Sequence, residues 1–399
     1  MIKVLHILLL SILTMLIGCQ VSQQVQEEKV VYFEEPTDLS AVVSSAKQDY
    51  VIDTLIEDLM NPWGIAFLPN GSVLITERSG KLLLVKDGKI ANDSIYGLPE
   101  ILAKGQGGLL DIRLHPQYEE NGWIYFSYSS PGEEEGSSNT AIMRAKLQGD
   151  SLLVNQEKLF QALPYSTKGH HFGDRIQFDG KGFMYFTVGD RGDRSNPQNL
   201  SVHSGKVLRL HDDGKIPQDN PFVNVDTAMH EIYSYGHRNP QGLVLNTTDG
   251  TIWEHEHGPR GGDELNIIEA GKNYGWPVIT YGINYDSTII TTDTVMAGME
   301  QPITFWRPSI APCGMALANS DKYPNWKGNL LVGSLKFRYL NRVEIENGKV
   351  VNQEKLIDQI GRVRAVEEAP DGYIYAALES PGMIVRLYPI NEENTTPEQ

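Results

Sequence analysis

The sequence is almost without cysteine. Cys19 and Cys313 are the only two in 399 residues, so no disulfide framework supports the fold and the core rests on packing alone. Positive charge is scarce too. The 34 basic residues are outnumbered by 51 acidic ones, and a formal net charge of -17 excludes the basic footprint that nucleic-acid binding requires. No apolar run reaches the roughly 20 residues a spanning helix needs. No long helical period appears, and no Gly-x-Ser-x-Gly elbow marks a serine hydrolase. What remains is an acidic chain long enough for two domains, or for one large all-β propeller.

The two ends differ from the middle. Lys3 precedes an apolar run from Val4 to Ile17 that closes on Leu16-Ile-Gly-Cys19, which resembles a bacterial lipoprotein signal. Residues 1–18 are therefore expected to be a cleaved signal peptide, with Cys19 lipidated and the protein exported and anchored to the cell envelope, facing the periplasm or the cell surface. Residues 19–49 are polar and lack sustained periodicity, which predicts a tether. Residues 391–399 are predicted to be a disordered tail.

Between them, over 50–390, one unit recurs. Six times a turn such as Asn70-Gly71, Asn121-Gly122, Lys181-Gly182, Asp249-Gly250, Lys327-Gly328 or Asp371-Gly372 separates two short runs of β-forming residues, at intervals of about 45 to 80 residues. Further strand-like pieces follow most of these hairpins, for example Lys81 to Val85 and Lys206 to Leu210. About four antiparallel strands per unit, six times over, predict an all-β, six-bladed β-propeller. The strand candidate from Tyr50 to Leu55 is placed to complete the last blade and close the ring.

Hairpin geometry sorts the unusual residues. The start of a hairpin's first strand and the end of its second lie at the same end of the sheet. Those flanks carry Gln106, His170-His171, Asp190, Arg238-Asn239, His255 to Pro259, Lys336, Arg362 and Arg364, whereas the opposite ends carry only turn residues. One mouth lined from several blades follows. Its cationic side chains and amides suit a small anion with several acceptors. His171, with Asp190 at the end of the paired strand to fix its tautomer, suits removal of a hydroxyl proton. His255 and His257 alternate along a strand and so do not share a metal, while oxygens from the Gly258-Pro259 loop and Glu264 suit calcium.

The ordered motifs Gly105-Gln-Gly-Gly-Leu-Leu-Asp-Ile112, His171-Phe-Gly-Asp-Arg175, Val188-Gly-Asp-Arg-Gly192, Gly236-His-Arg-Asn-Pro-Gln-Gly242, His257-Gly-Pro259, Asp263-Glu264, Asn273-Tyr-Gly-Trp-Pro277, Ser334-Leu-Lys336 and Arg362-Val-Arg364 span most of the chain. Together they resemble the soluble aldose sugar dehydrogenases that depend on pyrroloquinoline quinone (PQQ), the glucose/sorbosone dehydrogenase family. The resemblance implies oxidation of an aldose at the anomeric carbon to a lactone. His171 would be the base, oriented by Asp190, with Gln106 beside the substrate. Arg238, Asn239, Lys336, Arg362 and Arg364 would bind PQQ. The carbonyls of Gly258 and Pro259 would hold the Ca2+ beside it, and Glu264 with the backbone of Tyr274 a second, structural Ca2+. Electrons would pass to an acceptor, a quinone or cytochrome, that the residues do not identify.

Two positions depart from the family pattern. His170 stands where glucose-oxidising members carry an acid, so a glucose preference does not transfer. Ala365 follows Arg364 where members often have Asp, which removes one expected support for that arginine. Two other function classes fit parts of the pattern. A calcium-dependent lactone or ester hydrolase would need a metal held by side chains in the central mouth. A non-enzymatic carbohydrate-binding propeller lipoprotein would not need His171.

Overall fold

The computed structural model describes residues 30–390; the expected signal peptide over 1–18, the lipidation site Cys19 and the tail over 391–399 lie outside them. Six antiparallel sheets follow one another around an axis, five of four strands and one of five. The first blade shows the pattern, running Pro62–Phe67, Val73–Glu77, Lys81–Lys86 and Lys89–Asn92 from the inside outward. The six innermost strands are Pro62–Phe67, Leu109–Leu114, Ile176–Phe178, Pro240–Leu245, Pro312–Leu317 and Val363–Glu368. Each contacts the next, and Val363–Glu368 returns to Pro62–Phe67, so the ring is closed.

Burial explains why the inner strands do not alternate cleanly. Every residue of Pro62–Phe67 and of Pro312–Leu317 is buried, because a strand near the axis has a neighbouring blade on both faces. Each wall between adjacent blades is a separate apolar cluster. Leu74, Leu84, Ile124 and Phe126 join blades one and two, while Leu331, Leu340, Ile374 and Val385 join blades five and six. The expected closing strand is present, with Tyr50–Ile56 pairing antiparallel to Gly382–Pro389 as the fourth strand of the last blade. Val42–Val43 adds a short fifth.

The tether expected over 19–49 is corrected over its second half. From Val30 onward the chain lies against the propeller, with Tyr32 and Phe33 buried in the wall between the last and first blades. Tyr32 meets the ring of Phe67 edge-on at 5.0 Å, and Arg386 donates to the carbonyls of Phe33 and Glu34. Two adjacent aromatics bury enough apolar surface to order a segment that periodicity alone reads as solvated. This segment sits on the face of the tight turns. A Cβ on Gly71, in the first of those turns, would come 3.1 Å from the carbonyl oxygen of Val31.

Candidate active site

The other face carries a cavity of about 780 Å3 at the starts of the inner strands. Its lining includes Gln106, Asn239, Pro259, Lys336, Arg362 and Arg364, contributed from the second, fourth, fifth and sixth blades. These residues sorted by hairpin register thus meet at one mouth, whereas His170, Asp190, Arg238, His255 and Gly258 do not line it. His171 stands at its edge: its amide donates to Gln106 Oε1 at 2.8 Å, and Phe172 and Gly173 beside it line the cavity.

His171 is held in a left-handed backbone conformation, with φ of 57°, uncommon for a residue with a Cβ. Close approach to the second strand of its hairpin accompanies this geometry, since a Cβ on Gly189 would come 2.4 Å from the His171 carbonyl oxygen. The next residue, Asp190, places Oδ1 2.6 Å from His171 Nδ1. That contact assigns the proton to Nδ1 and leaves Nε2 as the acceptor. Burial, with a smaller push from the Arg238 guanidinium, lowers the imidazole to about 4 despite the hydrogen bond to Asp190. The ring is neutral at pH 7. Asp190 is itself almost fully buried; burial pulls it upward, but His171 and Arg238 hold it below the usual carboxylate range.

The cationic side of the cavity is organised by an acid the sequence reading missed. Glu379 pairs with Arg362 Nε at 3.1 Å and with Arg364 Nη2 at 2.6 Å. It supplies the support that Ala365 does not. Arg364 also reaches Gln241 Oε1 at 3.1 Å and Cys313 Sγ at 3.0 Å, which fixes the guanidinium from both sides. Asn239 lines the same cavity. Arg238 lines a smaller cavity in the fourth blade, and its Nη1 donates to the carbonyls of His257 and Gly258 at 3.0 and 2.9 Å.

The expected calcium ligands fall in two places. Pro259 lines the central cavity, while the Gly258 carbonyl faces Arg238. Glu264 and Tyr274 line the small cavity, about 10 Å3, roughly the room one water-sized occupant needs. There Glu264 is not alone. Glu254 and Glu256 point to the same face of their strand, opposite Asn266 and Glu264 of the next, and His237 completes a donor group with the two. Burial, reinforced by Glu256, raises Glu254 and Glu264 well above the usual range, and Glu254 Oε1 has no hydrogen-bond partner. Such a set fits a hard divalent cation. Its signal was in the sequence, where the alternation Glu254-His-Glu256 puts two carboxylates on one side of a strand. Asp263, by contrast, is spent on backbone: it accepts from the amides of Gly258, Ile310 and Ala311 at 2.7 to 2.9 Å and shapes the loop. His255 and His257 each address a separate backbone carbonyl, of Gly314 and Pro312.

Comparisons with known proteins agree with this architecture. The family model for glucose/sorbosone dehydrogenase matches residues 59–386. The aldose sugar dehydrogenase YliI of Escherichia coli is 40% identical over 359 residues, covering 88% of this chain and 96% of that protein. The apo-form crystal structure of the soluble aldose sugar dehydrogenase from Escherichia coli superposes with a TM-score of 0.81 at 38% identity, covering 86% of this chain and 100% of that one. A PQQ-bound aldose sugar dehydrogenase from Streptomyces coelicolor gives 0.70 at 26% identity, over 86% and 98% of the two chains. The chain belongs to the glucose/sorbosone dehydrogenase family.

Proposed function

We propose that this protein oxidises aldose sugars at the anomeric carbon, yielding a lactone, with PQQ as hydride acceptor. The observation that carries this reading is a neutral imidazole, held by a buried carboxylate, at the edge of a cavity walled by Lys336, Arg362 and Arg364. The wall fits a multiply charged anion of cofactor size. Lys336, Arg362 and Arg364 would hold its carboxylates, and Arg238 with Asn239 would contact its ring system. When bound, the quinone supplies a two-electron acceptor; a calcium ion beside it would supply Lewis-acid polarisation, held by the Pro259 carbonyl and, once Arg238 turns away from it, the Gly258 carbonyl.

The chain's own residues supply the proton chemistry and the positioning. His171 Nε2 takes the anomeric hydroxyl proton as the C–H electron pair leaves the sugar. Asp190 keeps Nδ1 protonated and stabilises the imidazolium that forms. Gln106, whose Oε1 accepts from the His171 amide, would stand beside the substrate. The carboxylate group in the fourth blade would hold a second Ca2+ on Glu264 and the Tyr274 carbonyl, with Glu254 and Glu256 close enough to share its charge.

The same reading extends to place and partners. We infer export on the signal over 1–18, attachment to the cell envelope through lipid on Cys19, and electron delivery to a separate quinone or cytochrome. A hydrolase with its catalytic metal held by side chains in the mouth is less well supported. Among the described residues the cluster of three candidate metal donors is His237, Glu254 and Glu256, all buried and away from the central mouth. The deciding experiment is reconstitution of quinone-free protein with PQQ and Ca2+, followed by absorbance and by dye-linked oxidation of an aldose panel. Saturable uptake and turnover with some aldose are expected. Failure to bind PQQ, or equal turnover of lactones without it, overturns the reading.

A further inference from the structure

Asp190 has a second buried partner. Trp276 Nε1 donates to Asp190 Oδ2 at 2.9 Å, on the oxygen that His171 does not use. The indole comes from far along the chain, on the segment joining Asp263–Ile267 to Thr304–Trp306 in the fourth blade, and it reaches an acid at the end of a third-blade strand.

That crossing is tightly built. The Tyr274 amide donates to the Tyr235 carbonyl at 2.8 Å and the Trp276 amide to the Gly236 carbonyl at 2.9 Å. Gln198 bridges Asn273 Oδ1 and the Trp276 carbonyl at 3.0 and 2.9 Å. Gly236 makes the approach possible: at φ of 81° it sits where a Cβ would come 2.2 Å from Asn273 Oδ1. The indole is itself buried, with the Arg238 guanidinium 5.4 Å from its centroid.

We propose that Trp276 is a positioning residue for the base, acting through Asp190. A buried carboxylate oxygen without a donor is costly, and a carboxylate held on one oxygen can turn about its last side-chain bond. With His171 and the Gly192 amide on Oδ1 and the indole on Oδ2, neither happens: the plane of the acid is fixed and His171 Nε2 points in one direction. The inference rests on His171 being the base of the reaction proposed above.

The test is Trp276→Phe, which keeps an apolar ring and removes the donor, with the sulfur isostere β-(3-benzothienyl)alanine at 276 as the second variant should phenylalanine fail to fold. The loss of one hydrogen bond to a charged group predicts a kcat lower by about ten- to a hundredfold. KM and PQQ affinity should stay near wild type. On an Asp190→Asn background the same change should cost little more, since the group it acts through is altered. A readout without quinone or sugar separates failure of this inference from failure of the reaction assignment: histidine 15N spectra of the quinone-free protein. Losing the indole donor leaves more of the Asp190 charge on the ring, so His171 should protonate at higher pH. Its other charged neighbours, Arg238, His170 and the Arg191 behind it, are unchanged. Unaltered kcat and an unaltered His171 titration, or equal losses with and without Asp190, would reduce Trp276 to a packing residue.

Discussion

Glu379 holds Arg364 by two contacts to one oxygen, from Nε at 2.8 Å and Nη2 at 2.6 Å, while its other oxygen takes Arg362 Nε at 3.1 Å. Both members of the Arg364 pair are largely buried, with side-chain exposures of 11% and 8%. Breaking such a pair from one side strands the remaining charge. Glu379→Gln should destabilise the fold by about 3 kcal/mol and weaken PQQ retention; denaturant midpoints and quinone titration of the variant check both. A midpoint at the wild-type value would show that Arg364 finds its anchor elsewhere.

His171→Ala should lower kcat by at least about a hundredfold while PQQ affinity stays within a few fold, because the ring is not among the cationic groups that would bind the cofactor. Stopped-flow reduction of the loaded protein measures the first, equilibrium titration the second. Retained turnover would remove the base from the scheme.

The pH dependence has a definite sign. Burial lowers His171 from 6.5 to about 4, so the free protein keeps its base unprotonated across neutral and mildly acidic pH. The acid limb of kcat/KM should therefore fall near pH 4, and activity should survive at pH 5.5, where an ordinary imidazole would be mostly charged. An acid limb centred at 6.5 would mean the ring is more solvated than its surroundings imply.

The fourth-blade carboxylates make a separate prediction. Because burial and mutual repulsion push Glu254 and Glu264 upward, calcium must displace protons to bind, and its affinity should rise with pH. Calcium added to quinone-free protein should raise Tm, by the equivalent of about 2.7 kcal/mol at a hundredfold excess over Kd. Calorimetry with and without chelator tests this. Glu264→Gln should remove most of the shift, and an equal shift in that variant would move the ion elsewhere.

Much of the ring was legible in advance because its signals are local. A Gly-containing turn between two β-rich runs specifies a hairpin from neighbouring residues, and hairpin register then dictates which ends share a mouth. The partners that tune the site were harder to see. Glu379 acts on Arg364 across a hairpin whose bulge shifts the pairing, with Val363 opposite Leu378 but Ala365 opposite Ala377. Trp276 reaches Asp190 from another blade through an irregular connection, which no periodicity announces. Tyr32 and Phe33 were read as tether because a pair of aromatics makes no repeating pattern, although together they bury enough surface to dock.

That docked segment has a directional consequence. Val30 lies by the turn at Gly71, on the side of the ring away from His171, and only residues 20–29 separate it from Cys19. Even fully drawn out, ten residues span roughly 35 Å, so a lipid on Cys19 would hold the membrane on the side of the tight turns. Under the anchoring proposed above, the cavity beside His171 then faces away from the attachment point.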